Sequence, residues 1–171
     1  LFLIEKKEDL NKLPFNNNQE IAYVTQTTLS VDDTQSIVDA IKNKFTKIRK
    51  PHKNDICYAT TNRQDAVKKI ASLCDLFIVI GAKNSSNSLR LVEVAKQYGA
   101  KKSLLLENIA IFDHSNMNDV KSIGLTASAS APEVLVQNFI KLMKKKYIVK
   151  LQEPNYTSEN INFKIPQNLR I

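Results

Sequence analysis

Leu76-Phe77-Ile78-Val79-Ile80 is a continuous apolar run rich in β-branched residues. Such a run reads as a strand buried on both faces, the kind from which parallel sheets are built. It ends in the polar turn Gly81-Ala82-Lys83-Asn84-Ser85-Ser86-Asn87-Ser88, and a helical pattern follows from about Leu89 to Tyr98, terminated by Gly99. This order of strand, polar turn and helix recurs, which constrains the chain to an α/β fold. Ile21 to Val24 is a second strand, leading through Thr25-Gln26-Thr27-Thr28 into a helix from about Val31 to Phe45. Ser30 is its expected N-cap, and Asp32 and Asp33 in its first turn complement the helix dipole. Ile56 to Ala59 reads as a short strand before a helix over about Arg63 to Leu73. Strands are also expected at Ser103 to Glu107 and Ser122 to Thr126. The latter leads through Ala127-Ser128-Ala129-Ser130-Ala131 into a helix running to about Lys145, with Pro132 in its first turn.

The remaining segments divide the chain. Leu1 to Ile4 is a candidate strand and Lys6 to Leu13 a short helix closed by Pro14. Lys47 to Asn54, charged and carrying Pro51, reads as a linker between two lobes. Asp113 to Asp119 reads as loop or a single turn. Ile161, Phe163 and Ile165 alternate with polar residues, which suits an edge strand in the tail. The expected organisation is a first α/β lobe over residues 1–53, a second over 54–150, and a tail over 151–171 packing back on both.

Charge narrows the function. The 171 residues carry a formal net charge of +8, with basic residues gathered in Lys42 to Lys53 and Lys141 to Lys150. Such patches suit an acidic protein partner or an anionic ligand, and also fit plain solvated surface. Aromatics are not interleaved with them and no nucleic-acid motif occurs, so a nucleic-acid partner is not expected. The longest apolar runs are too short to span a bilayer, and residues 1–15 mix acids with bases unlike a signal peptide. Cys57 and Cys74 lie in different settings, which argues against a disulfide and for a reducing compartment. There is no Gly-x-Gly-x-x-Gly and no Walker loop. His52 and His114 sit in polar surroundings and read as surface residues.

Cys74, among apolar neighbours, reads as core. Cys57 is different: it falls near the end of the Ile56–Ala59 segment, just before a helix N-terminus. Two readings stand, a small buried hydrophobe or a sulfur that holds metal or attacks a substrate at the ligand-binding edge of the sheet. Three strand-to-helix turns carry hydroxyls toward that same edge: Thr27, Thr28 and Ser30; Ser85, Ser86, Asn87 and Ser88; Ser128 and Ser130. Each turn taken singly is accounted for by N-capping. Together, beside one cysteine, they point to a polyanion site built from hydroxyls and helix N–H groups.

The blocks Thr25-Gln26-Thr27-Thr28-Leu29-Ser30-Val31-Asp32-Asp33-Thr34, Asp55-Ile56-Cys57-Tyr58-Ala59-Thr60-Thr61-Asn62-Arg63-Gln64, Lys83-Asn84-Ser85-Ser86-Asn87-Ser88 and Ala129-Ser130-Ala131-Pro132 resemble the LytB/IspH family of 4-hydroxy-3-methylbut-2-enyl diphosphate reductases. The resemblance runs from Leu1 to the tail. It implies reductive dehydroxylation of an allylic diphosphate to isopentenyl and dimethylallyl diphosphates, the last step of the methylerythritol phosphate route to isoprenoids. It further implies a [4Fe-4S] cluster held by three cysteines, of which Cys57 matches the last. By the same resemblance Thr27 matches the threonine of the proton-relay region, and Ser85, Ser86, Asn87 and Ser130 match diphosphate-binding positions, with Thr28 and Thr60 beside them. The family fold, three similar lobes around the cluster, implies that this chain is the later part of the second lobe plus the third. The other ligand cysteines, the substrate-binding histidines and the proton-donating glutamate then belong upstream of Leu1.

Further expectations follow. The basic surface suits a small acidic electron carrier, ferredoxin or flavodoxin, and a monomer is expected. Lys and Asn richness with little Arg suits an AT-biased genome, and the pathway that the resemblance implies belongs to bacteria and plastid-type organelles, so a plastid-like organelle such as the apicoplast is expected, with bacterial cytoplasm as the alternative. A non-catalytic α/β module that binds a phosphorylated ligand through the three turns is the competing function.

Overall fold

The structure, a computed structural model, describes residues 1–51, 55–152 and 166–169. Its centre is the apolar run: β3 (Leu76–Ile80) is buried at every residue. β3 lies between β4 (Lys102–Leu106) and β5 (Ile123–Ala127), parallel to both. Alternation then divides its side chains. Phe77 and Val79 face a core shared with α2 (Tyr58–Ile70) and α3 (Ser86–Gln97), where they meet Val67, Ala71, Leu91, Val94 and Ala95. Leu76, Ile78 and Ile80 face the opposite core with Leu106, Phe112, Phe139 and Met143, the last two from α4 (Glu133–Lys146). Each such side chain contributes about 1.5–3 kcal/mol when fully buried, so β3 anchors both layers. A smaller parallel pair, β1 (Glu20–Ala22) and β2 (Lys47–Arg49), packs with α1 (Val31–Lys44) and a 3-10 turn at Lys7–Lys12 around Leu10, Ile41 and Phe45.

Local signals place most of these elements. Ser30 caps α1, its Oγ accepting from Asp33 N–H at 3.2 Å. Gly99 adopts φ 94° past the end of α3. There Gly99 N–H donates to the Lys96 carbonyl and Ala100 N–H to the Ala95 carbonyl, which closes the helix and turns the chain into β4. Asp75 fixes the start of β3 against the start of β5. Its carboxylate accepts from Lys121 and Ser122 N–H at 3.0 and 3.1 Å, and Lys101 pairs with it at 2.6 Å. The Lys101 ammonium and these N–H donors hold the Asp75 carboxyl well below the usual carboxylate range.

Several expectations are corrected. Leu1–Ile4 forms no strand: it has no ladder partner among the described residues, and Phe2 instead packs edge-on against Phe15 at 5.1 Å. Lys47–Arg49 is not linker but β2. Ile48 packs toward the small core, and Arg49 reaches Glu20 across the pair at 2.6 Å. Ile56–Ala59 is not a strand; α2 begins at Tyr58, earlier than Arg63, with Cys57 as its N-cap. The buried positions Thr60, Gln64 and Val67 of α2 recur at helical spacing, and two of them are polar. α3 begins at Ser86, not Leu89, because the Ser85 hydroxyl accepts from Ser88 N–H at 3.3 Å and starts the helix there. Pro132 is the N-cap of α4, one position before its first turn. The segment at Asp113–Asp119 contains one 3-10 turn, His114–Met117. The alternation at Ile161, Phe163 and Ile165 lies outside the described residues, as does His52. His114 is half-buried, edge-on to Phe112 at 5.3 Å.

Gly124 shows how tightly the sheet is packed. It pairs with Phe77, and a Cβ there would strike the Phe77 ring and lie 2.9 Å from Cys74 Sγ. Gly124→Ala is therefore expected to lower stability by about 1–3 kcal/mol, the usual cost of overpacking a closed core, read as a lower unfolding midpoint. An unchanged midpoint would mean that β5 can shift away from Phe77 at no cost.

Candidate functional site

Parallel strands bring the turns after β3 and β5 to one edge of the sheet. Gly81 N–H donates to the Leu106 carbonyl at 3.2 Å and Ser128 N–H to the Ile80 carbonyl at 2.9 Å, so the two turns lie side by side. The turn after β1 joins them from the smaller sheet. Thr28 Oγ1 and Ser86 Oγ are 2.8 Å apart, and Cys57 N–H donates to the Thr27 carbonyl at 3.0 Å. Asp55 completes this join, its Oδ2 accepting from Thr25 N–H at 2.8 Å. The N-termini of α2 and α3 are thus both tied to the Thr27–Thr28 turn. Each presents backbone N–H groups and the positive end of a dipole.

The polar residues are layered. Thr27, Cys57, Ser86 and Ser130 are exposed. Asn87, Ser88 and Ser128 lie beneath, 6%, 0% and 2% exposed. Among the described residues neither Nδ2 nor Oδ1 of Asn87 has a hydrogen-bond partner, nor has Ser88 Oγ. Orphaned buried polar atoms cost about 1–3 kcal/mol each, so these call for a partner from outside the protein, a water, an ion or a ligand. Gly81 makes the layering possible. A Cβ there would lie 2.9 Å from Ser88 Cβ and 3.2 Å from Ser128 Oγ. Ser128 Oγ and Ser130 Oγ are 3.5 Å apart. Thr60 is buried in the first turn of α2, its N–H donating to the Cys57 carbonyl at 2.9 Å.

The sulfur chemistry separates the two cysteines. Cys74 is buried as expected, its Sγ donating to the Ile70 carbonyl at 3.2 Å, and burial pushes its thiol up. Cys57 is free and exposed, and its side chain makes no capping hydrogen bond. An iron–sulfur cluster takes thiolate ligands. Cys57 fits one such ligand, open to solvent at a helix N-terminus. Among the described residues no three of His, Cys, Asp and Glu stand together as a metal site.

Three residues here escaped the sequence reading. Gly81 carries no signal beyond a turn. Arg63 Nε donates to the Ala127 carbonyl at 3.2 Å, and Gln64 bonds the loop before α1 through Leu29 and Val31. With the helix taken to begin at Arg63, both fell at its start, where side chains of this kind are ordinarily solvated.

Two helix N-termini, buried amide and hydroxyl groups without a partner among the described residues, and one exposed cysteine thus stand close together in an α/β protein. The family described as LytB protein matches residues 1–144, and the chain belongs to that family. Proteins named 4-hydroxy-3-methylbut-2-enyl diphosphate reductase are similar along the whole chain. That of Haemophilus influenzae (strain PittEE) is 51% identical over 171 residues, covering 100% of this chain and 54% of its own length. That of Histophilus somni (strain 2336) is 47% identical with the same coverage. The solved E-1-hydroxy-2-methyl-but-2-enyl-4-diphosphate reductase from Plasmodium falciparum superposes with a TM-score of 0.85 at 38% identity, over 96% of this chain and 52% of that one. The chain thus spans about half the length of the relatives it matches.

Proposed function

We propose that this chain forms the diphosphate-binding part of an iron–sulfur reductase that removes the hydroxyl of 4-hydroxy-3-methylbut-2-enyl diphosphate. The observation that carries this reading is the unpaired, buried Asn87 amide and Ser88 hydroxyl in the first turn of a helix tied to the Cys57 turn. Loss of the hydroxyl as water takes two electrons and two protons. When bound, the cluster would supply electrons singly and a Lewis-acidic iron. This chain's residues would take a share of the remaining work. Ser85, Ser86, Asn87 and Ser130, with the N–H groups of α3, would hold the diphosphate. Thr28, bonded to Ser86, would hold that hydroxyl in place. Thr27, exposed next to Cys57, would hand a proton toward the reacting oxygen.

The grouping of β1–β2 and β3–β5 into separate sheets supports division into a partial second lobe over 1–53 and a third over 54–150. An acidic electron carrier, ferredoxin or flavodoxin, fits the basic surface. Lys42 and Lys50 line a cleft of about 310 Å³ that also includes Ile56, the neighbour of Cys57. Complementary charge would raise the rate of encounter there. The test is the visible spectrum of the anaerobically purified protein at the full length of its relatives, and its substrate turnover with reduced ferredoxin or flavodoxin as electron source. Cluster absorbance and release of isopentenyl and dimethylallyl diphosphates are expected. A colourless protein that binds diphosphate without turnover would favour the non-catalytic module.

A further inference from the structure

The geometry points to Arg63 and Gln64 as positioning residues that lock the Cys57 end of α2 to the two polar turns flanking it. Gln64 is fully buried, 0% exposed. A primary amide survives there only if both of its ends are bonded. Both are: Nε2 donates to the Leu29 carbonyl at 2.9 Å, and Oε1 accepts from Val31 N–H at 3.0 Å. Only one orientation of the amide satisfies both, so the side chain reads the loop backbone in a fixed register. That loop carries Thr27 and Thr28 at one end and the N-cap Ser30 at the other. Arg63, the preceding residue, points the other way. Its Nε donates to the Ala127 carbonyl at 3.2 Å, directly before Ser128 and Ser130. Its Nη1 donates to the Ala59 carbonyl at 3.1 Å, in the first turn after Cys57.

One helix therefore carries the cysteine at its N-cap and grips the turn on either side through consecutive residues. Three of these hydrogen bonds tie α2 to the flanking turns and, with the Cys57 N–H bond to the Thr27 carbonyl, hold the spacing between the sulfur and the hydroxyls, while Val67 farther along α2 packs in the apolar core. A second grip lies farther along. Lys68 of α2 and Tyr98 beyond α3 both bond Asp32 of α1, at 2.7 and 2.5 Å. That grip holds the helices together but touches neither polar turn, so it is the natural control.

The inference rests on the reading of the turns as a diphosphate site, and the experiment separates the two. In the full-length protein, Gln64→Met and Gln64→Glu are compared with wild type by calorimetric binding of inorganic diphosphate, cluster absorbance and thermal unfolding. Methionine keeps the volume and loses both bonds. Glutamate keeps the acceptor but sets an oxygen against the Leu29 carbonyl. Both variants are expected to raise Kd for diphosphate about tenfold, the equivalent of one lost buried hydrogen bond. Lys68→Met is expected to lower Tm with Kd unchanged. A lower Tm with unchanged Kd in the Gln64 variants would overturn the positioning role and leave the site reading intact. A wild type that fails to bind diphosphate would overturn both. Where Gln64→Met does not fold, Arg63→Met decides: a raised Kd supports the role, and an unchanged Kd overturns it.

Discussion

Cys57→Ser in the full-length protein is expected to lose the visible absorbance of its cluster and nearly all reductase activity while becoming no less stable. The two halves of that result have separate causes. Iron in a sulfide cluster prefers the soft thiolate, and a hydroxyl does not replace it. Residues that merely support a metal ligand are worth about 10–100-fold, so loss of the ligand itself should cost at least that much. Stability should move the other way. Cys57 is the N-cap of α2 yet makes no side-chain cap bond. Serine is among the preferred N-caps and supplies about 0.5–2 kcal/mol where the previous residue did not cap. Its oxygen would accept from an N–H in the first turn of α2. A raised unfolding midpoint for the variant stripped of its cluster, compared with equally stripped wild type, excludes misfolding as the cause of inactivity. Retention of a normal cluster spectrum would show that Cys57 is not a ligand.

The second large effect is expected at Gly81. Gly81→Ala places a methyl group 2.9 Å from Ser88 Cβ and 3.2 Å from Ser128 Oγ. Neither neighbour can retreat, since Ser88 is 0% and Ser128 2% exposed. The first turn of α3 must then move off the end of β3, carrying Ser85, Ser86 and Asn87 with it. The cost in stability should be about 1–3 kcal/mol, as for other overpacked positions. The loss in diphosphate affinity should be at least about 100-fold, because several hydrogen bonds to a charged group, each about 1.5–3 kcal/mol, are weakened together. Ser88→Gly in the same chain removes the nearer obstruction and should recover part of the affinity. Titration with inorganic diphosphate measures both steps. Affinity equal to wild type in Gly81→Ala would show that α3 is not the diphosphate-binding element.

These expectations draw on different levels of the molecule. β3 was legible in the sequence because five consecutive apolar residues leave a strand no exposed face. The cap at Ser30, the closure at Gly99 and the burial of Cys74 were legible for the same reason: each depends on residues within a few positions. The hydroxyl-rich turns after β3 and β5 could be read as a pair because strand-to-helix turns of one parallel sheet open on one edge; the Thr27–Thr28 turn, from the other sheet, joins them through Ser86. The family resemblance was likewise carried by contiguous blocks, and the family match covers residues 1–144.

What local pattern could not supply was pairing. β2 is three residues, two of them basic, and is a strand only because Glu20–Ala22 lies beside it. The residues around Cys57 look like a strand by composition. They start a helix because Asp55 and the Cys57 N–H are held by the Thr25–Thr27 backbone, about 30 positions earlier. Gln64 is core only because Leu29 and Val31 meet both ends of its amide. The sequence by itself determined the layers, the caps and the inventory of hydroxyls and sulfur. The tertiary structure alone decided which turns touch, which of their polar groups stay unpaired, and that Cys57 is exposed. Those outcomes depend on hydrogen bonds between segments distant in the chain, and no periodicity in a single segment records them.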